Sequence, residues 1–167
     1  HFLLDNFFDV SPWEQLYKTV TFSDLVDEYL KRYREKLVEL AEVPGEYIPG
    51  IYNVFGIGAI TGAMTGKHVT FGSQTSWCEP LDDPYNWIKT HQFDPENPII
   101  KVAARSIELL SARWNGDFSF LPFMHRSPLD AANGLIGDKI FTEMYDRPEK
   151  VKKVIDWCVN WIIDCED

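Results

Sequence analysis

The stretch 118-FSFLPFMHRSPLDAANGLIG-137 decides how this chain is read. From Phe118 to Met124 it is an apolar run bounded by turn signals, as expected for a strand buried on both faces. His125, Arg126 and Asp130 come next, and small residues follow up to Gly137. A histidine, an arginine and an aspartate therefore stand where a buried strand hands over to a helix. In a parallel α/β fold that is where ligands bind, on loops beyond the carboxyl ends of strands.

Working outward, residues 21 to 42 give the clearest helix. Leu25, Val26, Tyr29, Leu30, Tyr33, Leu37 and Leu40 recur at helical spacing, Thr21 or Ser23 is placed to cap it, and Pro44 and Gly45 end it. Tyr47 to Phe55 has strand composition. Tyr47 to Gly66 carries no charge for 20 residues, the length of a membrane span, yet Pro49, Asn53 and five glycines speak against one. Gly58, Gly62 and Gly66 are four apart, which predicts a strand followed by a tightly packed helix; the glycine intervals do not fit a dinucleotide fingerprint. Val69 to Phe71 reads as a short strand and Ser73 to Pro98 as a long loop holding Trp77, Cys78 and Glu79.

Asn97 or Asp94 begins a helix from Pro98 to about Trp114, with Ile99, Val102, Ala103, Ile107 and Leu110 as its buried stripe. Asn115 to Asp117 form a turn. Two helices, roughly 128 to 144 and 147 to 165, close the chain. The alternation of strands and helices predicts a parallel α/β fold.

The totals bound the function. A chain of 167 residues with 45% hydrophobic and 14% aromatic residues is globular, and a net charge of −10 speaks against nucleic acid as a partner. The cluster from Arg147 to Lys153, interleaved with acids, reads as a solvated face. Three cysteines are too few for a disulfide framework; Cys158 and Cys165 read as core thiols, and no signal peptide is visible, so a reducing cytoplasm is the expected location, with no membrane partner. The chain starts without methionine and stops at Asp167 within a helix, and both ends read as cut.

Each candidate for chemistry has a plainer alternative. His125 suits proton transfer or carboxylate binding, or fixes a turn. Arg126 suits an anion clamp, or a surface ion pair. Asp130 is either a ligand contact or a helix cap in the first turn. Glu79 beside Trp77 is either an acid held against an apolar wall or an exposed loop residue, and Asn53 ends the first strand. Cys78 lacks a second metal ligand at the right spacing, and His68 and His91 are isolated surface positions.

The segment from Phe118 to Asp167, with its Pro128, Ala131, Ala132, Asn133 and Gly137 and the run "EMYDRPEKVKKVIDWCVNWI", resembles the uroporphyrinogen decarboxylase superfamily. The upstream pieces "YNVFGIGAITGAMTG" and "TSWCEP" are similar to divergent members, so the resemblance covers roughly residues 44 to 167. It implies a (β/α)8 barrel of about twice this length, with residues 1–43 as a helical lead-in and 44–167 as the amino-terminal part of the barrel. The remaining strands would come from a missing carboxyl-terminal half, or the chain would act as a homodimer.

In function the resemblance implies a corrinoid-linked methyltransferase, with a decarboxylase of a tetrapyrrole or other carboxylic acid, or a non-catalytic tetrapyrrole- or corrinoid-binding protein, as alternatives. The methyltransferase branch uses zinc and a corrinoid, the zinc held by a His-x-Cys and a distant Cys in the carboxyl-terminal half. His125, Asp130 and Glu79 would be catalytic, and Asn53, Trp77, Arg126 and Asn133 would bind a small-molecule substrate. The Arg-rich motif of the decarboxylases is absent, and Asn133 stands where they carry a tyrosine.

Overall fold

A computed structural model describes residues 20–42, 50–51, 56–71, 76–117, 119–120 and 127–166. Its elements run in the order α1 (Val20–Ala41), β1 (Gly50–Ile51), α2 (Gly56–Thr65), β2 (Val69–Phe71), β3 (Ser76–Cys78), α3 (Pro84–Trp87), α4 (Pro98–Ala112), β4 (Ser119–Phe120), α5 (Pro128–Ile136), α6 (Ile140–Asp146) and α7 (Pro148–Glu166). The class is mixed α/β, mostly helical. Among the described residues no helix is long and apolar enough to cross a membrane.

The two segments read as buried strands do pair. Gly50 lies opposite Ser119 and Ile51 opposite Phe120, in parallel. Parallel neighbours need a crossover, which α2 to α4 supply. A separate antiparallel hairpin joins β2 to β3, with Val69 opposite Cys78.

The glycine spacing has the expected consequence. A Cβ on Gly58 would fall 2.3 Å from the Trp77 backbone nitrogen, and one on Gly62 would fall 2.2 Å from Val69 Cγ2. Both glycines let α2 lie directly on the hairpin, and Gly66 then leaves the helix at φ +68, its N–H donating to the Gly62 carbonyl at 2.8 Å. Ala131 and Ala132, fully buried, do the same for α5, which packs on α2, α6 and α7. Leu135, Ile140, Val151, Val154, Cys158 and Trp161 complete this end of the core.

The lead-in helix docks on α4. Arg113 grips Asp27 through Nε and, at 2.9 Å, through Nη2, which also donates to Ser23 Oγ at 2.7 Å. Arg34 Nε meets Asp117 Oδ2 at 2.5 Å.

Several boundaries differ from the sequence expectations. α1 is already helical at Val20, so Ser23 receives Arg113 instead of capping the helix. Ser73 to Pro98 is not a plain loop, because it holds β3 and α3. On α4, Ile107 points outward and Ser106 and Leu109 take its place in the core. The single helix expected over 128 to 144 is two, since Gly137 at φ +79 ends α5 and turns the chain into α6. Asn97 is the cap of α4: its Oδ1 accepts from Ile99 N–H at 2.9 Å while its amide donates to the Ala63 carbonyl at 3.1 Å, tying α4 to α2.

Candidate functional site

Asn53, His125 and Arg126 lie outside the described residues. Asp130, Asn133, Trp77 and Glu79 are described, and they fall on two elements that meet. Past β3 the Leu81 N–H donates to the Leu135 carbonyl of α5 at 2.9 Å, and a Cβ on Gly137 would touch Pro80. Among the described residues no hydrogen bond or ion pair joins Glu79, Asp130 and Asn133 to one another.

β3 alternates as a strand must. Ser76 and Cys78 face α2: Ser76 Oγ accepts from the Gly58 N–H at 3.0 Å, and Cys78 Sγ lies 3.9 Å from Thr65 Oγ1. Trp77 and Glu79 therefore share the outward face, both exposed. Lys67 Nζ closes this corner by donating to the Pro80 carbonyl at 2.6 Å. Burial pushes the Cys78 thiol up, while the Thr65 hydroxyl and the Lys67 charge pull it back part of the way. The net direction is upward, so Cys78 is not a ready thiolate at neutral pH.

Asp130 sits in the first turn of α5. Ser127 caps that helix: its Oγ accepts from the Asp130 N–H at 3.1 Å and donates to Asp130 Oδ2 at 3.0 Å. One carboxylate oxygen is thus committed to the cap, and the other is left over.

Asn133 lies one turn further on, half-buried, and its Oδ1 is buried without a hydrogen-bond partner. An orphaned acceptor of this kind costs about 1–3 kcal/mol, so it signals a missing donor. Among the described residues, Asn133 is the predicted site residue with a buried polar atom left unpartnered.

Sequence reading missed a second neighbourhood. The Trp87 and His91 rings stack at 3.8 Å, Trp157 meets Trp87 edge-on at 5.5 Å, and Trp157 Nε1 donates to the His91 carbonyl at 2.8 Å. Of these rings Trp87 and His91, with Lys67, Leu81 and Asn86, line an open cleft of about 480 Å³. His91 is exposed, as expected, but it is not isolated; the signal was its i, i+4 spacing from Trp87.

Among the described residues no group of three His, Cys, Asp or Glu is placed to hold a metal ion. Comparison with protein-family models, with characterised proteins and with solved structures finds no match.

Proposed function

We propose that this chain forms the opening strand–helix units of a (β/α)8 barrel of the uroporphyrinogen decarboxylase type. Its full-length protein then acts on a small molecule as a corrinoid-linked methyltransferase. The observation that supports this reading is the parallel pairing of Gly50–Ile51 with Ser119–Phe120 across a helical crossover, with the next described helix, Pro128–Ile136, carrying the unpartnered Asn133 Oδ1. Two strands do not close a barrel, so the reading requires further parallel strands in the full-length protein.

In such a barrel the loops after the strands converge on one rim. Asn53 follows β1, and His125, Arg126 and Asp130 follow β4, so all four would share that rim. His125 would orient the substrate, Arg126 would pair with its anionic group, and Asp130 would use its free oxygen. Asn133 Oδ1 would accept from a substrate donor. Trp77 and Glu79, on the outward face of the hairpin, are the side chains available to close over it. The described residues do not fit a zinc site, so zinc and corrinoid would be held elsewhere in the full-length protein.

The test supplies the zinc-loaded full-length protein with methylcobalamin and a thiol and follows the cobalamin spectrum. Thiol-dependent demethylation that falls in Asn133→Leu and His125→Ala, with Tm unchanged, supports the reading. Carbon dioxide release from a porphyrinogen without demethylation supports a decarboxylase instead. Neither activity, with no corrinoid binding, overturns the enzyme reading.

A further inference from the structure

A second candidate site does not rest on the barrel reading. α3 and the start of α7 enclose a cavity of about 340 Å³, lined by Lys89, Arg147, Lys150 and Lys153, with Tyr85 and Asn86 between them and Asp83 as its one carboxylate. Arg147 immediately precedes α7, and Lys150 and Lys153 lie in its first two turns, so the three form one basic column along the cavity wall. Lys89 faces that column from the turn after α3.

Among the described residues none of the four cations makes an ion pair. Lys152, which does not line the cavity, is the neighbour that does, with Asp156 at 3.3 Å. Asp83 is already occupied: its Oδ1 accepts from the Asn86 N–H at 3.2 Å and its Oδ2 from the Asn86 amide at 2.6 Å. Lys89 Nζ is held by Asn86 Oδ1 at 2.7 Å, and Lys150 Nζ rests 5.6 Å from the centre of the Tyr85 ring. Both ammonium groups are thereby positioned beside the cavity with donors to spare.

Two further features point the same way. The Tyr85 hydroxyl is buried and has no hydrogen-bond partner. The cavity also opens at the first turn of the 19-residue helix α7, whose dipole favours negative charge. The clustered cations repel one another, and the Tyr85 hydroxyl beside them is left without a partner. A bound anion removes both penalties at once.

We infer that the cleft between α3 and α7 binds a small polyanion, a ligand with two or more closely spaced phosphate or carboxylate groups. Lys150, Lys153 and Arg147 neutralise it, Lys89 closes the opposite side, and the Tyr85 hydroxyl donates to one of its oxygens.

The experiment titrates the intact protein with pyrophosphate and with citrate by calorimetry at fixed ionic strength. Saturable 1:1 binding of at least one is expected. Lys150→Gln combined with Lys153→Gln should weaken it by about tenfold or more, since charge-assisted hydrogen bonds are lost. Tyr85→Phe should weaken it without lowering Tm, and Lys152→Gln should leave it unchanged. A third arm uses vesicles containing phosphatidylserine. Capture by vesicles without binding of either free anion would overturn the small-ligand assignment. So would the absence of saturable binding, or equal weakening by Lys152→Gln, either of which makes the column a solvated face.

Discussion

Gly58 lies so close to Trp77 that any side chain on it would enter the strand: its Cβ would come 2.3 Å from the Trp77 nitrogen and 2.4 Å from its Cα. The obstacle is backbone, which cannot rotate away. Gly58→Ala should therefore cost about 3 kcal/mol or more, beyond ordinary overpacking. Gly66→Ala meets no atom within 4 Å but must adopt φ +68, so it should cost only about 1 kcal/mol. Urea unfolding of the two variants checks the order.

Asn97 joins two helices with one side chain. Asn97→Ala loses both the cap on Ile99 and the bond to Ala63, and should cost about 1–2 kcal/mol. Asn97→Asp keeps the capping oxygen and loses the donor to the Ala63 carbonyl, so it isolates the tie between α4 and α2. Equal stability of Asn97→Asp and wild type would show that tie to be worth nothing.

The docking of helix α1 should weaken in acid, though buried Val26 and Leu30 still hold it. The Arg113 guanidinium beside Asp27, and Arg34 beside Asp117, hold both carboxyls below their usual range. A carboxylate with a depressed folded pKa stabilises above its unfolded pKa, and the contribution is lost as pH falls through the folded value. Stability should therefore decline below about pH 4. Asp27→Asn with Asp117→Asn should flatten that limb while leaving the curve near pH 7 parallel but lower.

The thiols titrate the other way. Burial pushes Cys158 and Cys165 up to about 12. A raised folded pKa gives stability that is full below the ordinary thiol value near 9 and is lost as pH climbs toward 12. At pH 8 native protein treated with iodoacetamide should be labelled first at Cys78 and last at Cys158. Early labelling of Cys158 would contradict its burial.

Much of the fold was legible because it is local. The apolar runs named both partners of the β1–β4 pair, and the four-residue glycine spacing announced the close approach of α2. The hairpin was hidden because β3 is three residues long and shows no alternation until Ser76 and Cys78 are seen facing α2. Gly137 read as a small residue within one helix, since only its positive φ reveals the break. Asp130 was legible as both site and cap, and the cap is what its hydrogen bonds display. The cluster from Arg147 to Lys153 read as a solvated face, and its charged residues are exposed; the cleft it borders was not legible because it needs α3, some sixty residues earlier in the chain, lying alongside α7.

Asn133 offers a trade between stability and binding. Its buried Oδ1 lacks a partner, so Asn133→Leu should leave Tm unchanged or raise it, by an amount equivalent to about 1 kcal/mol. Under the proposed barrel reading, ligand affinity should fall in the same variant. A large loss of Tm would mean that Asn133 serves packing alone.

The barrel reading is tested most directly by a crystal structure of the full-length protein soaked with methylcobalamin. The account predicts Gly50–Ile51 and Ser119–Phe120 as adjacent strands of a closed parallel barrel, with Asn53, His125 and Asn133 on the cavity at its carboxyl rim. Those four residues as an isolated two-stranded ribbon, with no further parallel strand on either side, would contradict it.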